Sequence, residues 1–318
     1  MDIRFYGMTQ DDFFAAKAKL QYQANYINAS CIFNRATGET TPLSDVVISA
    51  YHSPQRYYAE IQNRVNSLAR TAFMQGLEAL FITLTLPSIY HPMKEKNGEL
   101  VANRHYKGIR PSDGAIALTR KFARFRHDRS LKSVGKGERI YWRVIEPHRD
   151  GTPHLHVLLF LPIHLIPTAQ KAFGRLYCTN GHERKANTIR LLEGDIDGAI
   201  GYVMKYINKV LPLSKSDLLS EQDEYLNLWY AYHKIVRFST SRTLAPLALY
   251  RLLFRFYDLR SLTYYQDSLI IEKKASSKNP EIKKISRICN EKGSELYVHN
   301  GQYELIKSSS DDIGGFKC

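Results

Sequence analysis

The chain has 318 residues, 44% of them hydrophobic, which is enough to bury a full core. Its net charge of +14 points to a polyanionic partner, nucleic acid first, ahead of a merely basic soluble protein. Four widely spaced cysteines without a CxxC pair give no sign of a zinc ribbon or a disulfide framework. MDIRFYGMTQDD lacks the apolar core of a signal peptide, and HVLLFLPIHLIP is too short and broken to span a bilayer. These features read as a cytoplasmic protein with no membrane partner.

In chain order, DDFFAAKAKLQYQANY is a short helix within a weakly patterned first fifty residues. A longer helix runs from Pro54 to about Gln75, with Gly76 as its stop signal. FITLTLP, Phe81 to Pro87, is a β-branched apolar run ended by proline and is predicted as a buried strand. SDGAIALTRKFARFRHDRSL starts at the N-cap candidate Ser112. It continues as a basic amphipathic helix carrying Arg120, Lys121, Arg124, Arg126 and Arg129, either a DNA contact or a solvated helix face.

RIYWRVIE and HLHVLLFLP, joined by PHRDGTP, read as a β-hairpin. A helix around residues 166–178, a strand at NTIRLLE and a helix at DIDGAIGYVMKYINKVL follow. The stretch 220–257 looks helical in pieces. After the charged linker KKASSKNPEIKK, Asn300-Gly301 lies between two short strand-like runs, a type I′ hairpin signal. The expected divisions are an N-terminal extension over 1–53, a main domain over 54–257 and a C-terminal appendage over 258–318 carrying the basic linker and the small hairpin. The fold class is α+β, a central antiparallel sheet flanked by helices, with helical additions at both ends.

Two segments carry chemistry. Side chains alternate along a strand, so His154 and His156 point the same way. If Glu146 pairs with His154, then Val144 faces His156, Trp142 faces Leu158, and Glu146 joins the histidines on one face. Two imidazoles and a carboxylate form a mixed site with open positions, suited to Mg²⁺ or Mn²⁺ more than to structural Zn²⁺. His148 in the turn is the rival third ligand. In GYVMKYINKV, helical periodicity places Tyr202, Tyr206, Lys205 and Lys209 on one arc. Ile200, Val203, Ile207, Val210 and Leu211 gather on the other side. A phenol with a pKa near 10 is a weak nucleophile unless cations favour the phenolate. Lysines, tyrosines and a metal together imply transfer of a phosphodiester onto tyrosine.

FITLTLP, EPHRDGTPHLHVLLF and GYVMKYINK resemble the three motifs of HUH endonucleases, and in particular the replication initiators typified by bacteriophage replication gene A proteins. The resemblance covers about residues 54–257. Leu155 departs from it, standing where that group often has an aromatic. The resemblance implies a sheet related to RNA-recognition-motif topology. It implies His154, His156 and Glu146 as metal ligands, Tyr202 and Tyr206 as nucleophiles, and Lys205 and Lys209 as phosphate contacts.

The implied activity is site-specific nicking of single-stranded or locally melted DNA. The 5′ phosphate stays on tyrosine, and the released 3′-OH primes rolling-circle replication of a phage, plasmid or satellite element. No GxxxxGK[ST] loop is present, so a separate helicase and host replication proteins are the expected partners. The same chemistry directed at a competing phage genome, and a non-catalytic DNA-binding regulator on the same scaffold, are the alternatives.

Overall fold

The computed structural model describes residues 3–135, 138–192, 196–211, 219–254, 256–275, 280–281, 283–299 and 303–307. It divides into two compact units, Met1–Leu20 with Leu68–Ser241, and Gln21–Ser67 with Arg242–Cys318. Mixed helix and strand around a central antiparallel sheet is the class expected from the sequence.

The first unit is built on a five-stranded sheet in the order Thr188–Leu191, Leu77–Leu84, Pro153–Pro162, Ile140–Pro147, Phe238–Thr240. Every neighbouring pair is antiparallel. The strand over FITLTLP starts earlier than its apolar run, at Leu77, because Leu77 to Leu80 already pair with Pro162 to Leu159. It ends at Leu84, ahead of Pro87.

The hairpin has the register assumed above: Glu146 opposite His154, Val144 opposite His156 and Trp142 opposite Leu158. Strand alternation then sorts the sheet into two faces. Ile82, Leu84, Leu155, Val157 and Ile145 share one face. Phe81, Thr83, His154, His156, Glu146 and Arg190 share the other. Leu80, Ile82, Leu84 and Leu155 are fully buried, each contributing about 1.5–3 kcal/mol through lost water contact.

Helices Pro111–Arg126 and Ile166–Tyr177 cover the aliphatic face. Phe122 packs against Tyr141 with ring centroids 5.1 Å apart, and Phe125 against Phe173 at 5.6 Å. The first of these helices is capped by Arg110 with Pro111 in its first turn, not by Ser112. Proline's fixed φ and missing N–H suit that first turn, so the helix starts two residues earlier than an N-cap at Ser112 would place it. Helix Ile196–Val210 lies against the other face, with Val203, Met204, Ile207 and Val210 buried. Within 220–257, helices Glu221–His233 and Leu247–Leu253 form as expected, but Phe238–Thr240 is an edge strand of the sheet.

The second unit holds two three-stranded antiparallel sheets. Ser30–Asn34 pairs with Tyr303–Lys307 and Thr40–Pro42; Lys283–Cys289 pairs with Ile270–Ala275 and Glu295–Val298. The strands flanking Asn300-Gly301 thus belong to different sheets and do not form the expected hairpin; the turn itself lies outside the described residues. Long-range pairing has overridden a local turn signal here. Ala245, Leu249, Leu253, Leu259, Leu262, Leu269 and Ile288 form this unit's core. Buried Glu60 accepts two hydrogen bonds from Arg251, at 2.8 and 2.9 Å. Among the described residues, no helix is long and apolar enough to cross a membrane.

Candidate functional site

The site forms where the HxH hairpin meets helix Ile196–Val210. Among the described residues, one group of three could hold a metal ion: Glu146, His154 and His156, whose ligand atoms all lie within 4.8 Å of one another. His154 Nε2 and His156 Nε2 are 2.8 Å apart, and Glu146 Oε2 lies 3.6 and 3.9 Å from them. Donors sharing one ion at bond lengths of about 2.0–2.2 Å are spaced roughly 3–3.5 Å apart, so little adjustment is needed. Glu146 is 1% exposed, and its Oε1 has no hydrogen-bond partner. A buried, half-satisfied carboxylate beside two convergent imidazoles is the donor set a divalent cation completes.

Burial sets the protonation states. It raises the Glu146 carboxyl above its ordinary value, and the Lys209 ammonium, hydrogen-bonded to Oε2 at 2.7 Å, pulls the other way. It pushes the His156 imidazole down to about 3, helped by Lys209 and His148, and holds His154 well below 6.5. Both rings are therefore neutral at pH 7, the state that ligates a metal. Thr83 Oγ1 is 3.1 Å from His156 Nδ1 and fixes that ring with Nε2 toward the cluster. His148, the rival ligand, lies outside the group of three and packs at a tilt against His154 with centroids 4.3 Å apart.

The turn behind the ligands needs glycine. Gly151 has φ +83°, and a Cβ there would lie 2.2 Å from the Tyr6 carbonyl oxygen. Asp150 is tied to His91 at 3.0 Å and accepts from the Thr152 N–H at 3.0 Å.

Tyr202 and Tyr206 sit over this floor, their hydroxyl oxygens 3.3 Å apart. Tyr206 is the closer to the ligands, its ring centroid 4.4 Å from that of His156. Phe81 organises the group: it stacks on His156 and Tyr206 and meets Tyr202 edge-on at 4.7 Å. Burial raises the Tyr206 phenol, reinforced by its hydrogen bond to Tyr202. Lys209 reaches Glu146, whereas Lys205 is exposed. Arg190, opposite Phe81 in the edge strand, donates to the Tyr202 hydroxyl.

The basic helix lies on the opposite face of the sheet. Lys121 donates to the Thr85 carbonyl at 2.8 Å and covers the Tyr177 ring; Arg126 donates to the Tyr141 hydroxyl at 2.8 Å. Arg120 and Arg124 are exposed. The structure thus brings together His154, His156, Glu146, Tyr202, Tyr206 and Lys209. It leaves Arg120, Lys121, Arg124 and Arg126 away from them. Thr83, Phe81 and Arg190 were missed by the sequence reading: alternation in FITLTLP puts Phe81 and Thr83 on one face, but the pairing of the strands is what makes it the face of the histidines and of Arg190.

Residues 8–212, a span containing every residue of this cluster, match the family model of the bacteriophage replication gene A protein. The chain is 33% identical over 178 residues to probable replication protein P12 of Pseudoalteromonas phage PM2, covering 54% of this chain and 26% of that protein. It is 30% identical over 205 residues to the replication gene A protein of Escherichia phage P2, covering 61% and 26%. A probable replication endonuclease from a prophage-like region of Escherichia coli O6:H1 is 26% identical over 223 residues, covering 63% and 26%. The aligned part is about a quarter of the length of each relative. No solved structure matches the chain. With its hairpin, its paired tyrosines and nearly two thirds of its length inside the matched span, the chain belongs to the bacteriophage replication gene A protein family.

Proposed function

We propose that this chain is a metal-dependent, site-specific single-strand DNA endonuclease that forms a 5′-phosphotyrosine link and initiates rolling-circle replication. The observation that carries the reading is the contact of Tyr206 with His156, ring centroids 4.4 Å apart, which joins a nucleophile to a metal-competent cluster. A divalent ion on Glu146, His154 and His156, Mg²⁺ or Mn²⁺, would polarise the scissile phosphate.

The chain's own residues do the rest. One phenol loses its proton to solvent. Its oxygen forms a bond to phosphorus as the bond from phosphorus to the 3′ oxygen breaks, and that oxygen takes up a proton. One phosphodiester replaces another, so the step is reversible without an energy source and the released 3′-OH can prime synthesis. Lys205, exposed beside the tyrosines, binds phosphate, and Lys209 balances the buried charge of Glu146. The second tyrosine, its hydroxyl 3.3 Å from the first, accepts a strand after one round and allows closure. Relatives named as replication proteins and a replication endonuclease support this reading.

The test is an adduct assay on circular single-stranded DNA, from the element that encodes the protein and from rival phages, with Mn²⁺, Mg²⁺ or EDTA. Metal-dependent protein attachment to DNA 5′ ends at one mapped site is expected, and the genome holding that site separates replication from interference. Tight binding without an adduct on any substrate would point to a DNA-binding regulator.

A further inference from the structure

Arg190 is the one cation that touches a tyrosine hydroxyl among the described contacts of this site. It stands opposite Phe81 on the edge strand, and its guanidinium lies over the rings of Phe81, at 5.3 Å, and Tyr202, at 5.2 Å. Two aromatic faces therefore fix the plane of the group while it donates to the Tyr202 oxygen. Tyr206 has a different setting. Its ring lies against His156, and its hydroxyl meets that of Tyr202. The two phenols, equivalent by sequence spacing, are inequivalent in contact.

Building on the proposed transesterification, we infer that Arg190 is a positioning residue specific to Tyr202. A guanidinium has five N–H donors, and the exposed Arg190 commits only part of them to Tyr202. The others face solvent and can take the oxygens of a phosphodiester presented to that phenol. In the reaction through Tyr202, the bond from its oxygen to phosphorus forms and the bond from phosphorus to the 3′ oxygen breaks. The phenolic proton leaves to solvent and the 3′ oxygen gains one. Arg190 exchanges nothing; its hydrogen bond holds the Tyr202 oxygen and aligns it with the phosphate. A plain surface stack of arginine on phenylalanine would give the same ring distances but no preference between tyrosines.

The experiment places Arg190→Gln and Arg190→Lys in two backgrounds, Tyr206→Phe, where only Tyr202 can react, and Tyr202→Phe, where only Tyr206 can. Adduct formation is followed at saturating DNA with Mn²⁺, and DNA affinity is measured separately in EDTA. Arg190→Gln is expected to slow the Tyr202 reaction about 10- to 100-fold, the worth of a hydrogen bond to a charged group. The loss in the Tyr206 reaction should be at least about tenfold smaller, and Arg190→Lys should recover part of the Tyr202 rate. Equal losses in both backgrounds, or none in either, would overturn the inference. So would a Tyr202 that forms no adduct while Tyr206 alone does, with the nickase reading intact. An intact protein that forms no adduct would overturn that reading and this inference with it.

Discussion

Glu146 and His154 face each other directly across the hairpin, Oε2 to Nε2 3.6 Å, with the carboxylate buried and its second oxygen unpartnered. That pairing converts an HxH tripeptide, ordinary on any sheet, into a three-donor cluster. The residues that shape the cluster give the predictions.

Thr83→Val keeps the shape of the strand but removes the oxygen 3.1 Å from His156 Nδ1. The His156 ring then loses the contact that aims Nε2 at Glu146. Mn²⁺ affinity, by calorimetry, should fall about 10- to 100-fold, while the melting temperature changes little.

Phe81→Ala removes the ring that touches His156, Tyr202 and Tyr206 from a site only 5% exposed. Urea unfolding should show a loss of about 3–5 kcal/mol. Phe81→Leu should recover most of that stability but not the adduct rate, because an aliphatic side chain cannot stack on His156 and Tyr206 or meet Tyr202 edge-on.

Gly151→Ala forces a side chain onto a backbone at φ +83° and against the Tyr6 carbonyl at 2.2 Å. A loss of about 1–3 kcal/mol is expected, with weakened Mn²⁺ binding because Glu146 and His154 flank this turn. Gly38→Ala, at φ +73° but with nothing within 4 Å, should strain the backbone without touching metal affinity.

Burial pushes the His233 imidazole from 6.5 down to about 4, against a weaker upward pull from Asp12. The folded state thus binds fewer protons than the unfolded chain between these values. The stabilisation is complete above pH 6.5 and is lost as pH falls through 4, on the order of 2–3 kcal/mol. Urea unfolding at pH 7 and pH 4.5 should show this slope, and His233→Phe should flatten it.

The hairpin register was legible because a polar pair at a fixed spacing can share a face in only one way. The helix over GYVMKYINKV was legible because its aliphatic stripe repeats at helical period. Phe238–Thr240 was not, since three residues carry no periodicity and the pairing with Trp142 to Val144 is supplied by the sheet. The partners of Glu295–Val298 and Tyr303–Lys307 were misread because Asn-Gly is a local signal and the sheets they join are assembled from distant segments. Lys121 and Arg126 looked free for DNA, but a helix pattern does not reveal which long cations fold back onto carbonyls and rings. Thr83 and Arg190 act across strands, which a reading confined to contiguous motifs passes over.

The measurement that tests the central claim most directly is mass spectrometry of the protein–DNA adduct after nuclease and protease digestion. The account predicts a nucleotide phosphate on the peptide containing Tyr202 or Tyr206, formed with Mn²⁺ or Mg²⁺, absent in EDTA and absent from the Tyr202→Phe/Tyr206→Phe double variant. Attachment to any other residue, or cleaved DNA with free 5′ ends and no adduct, would contradict it.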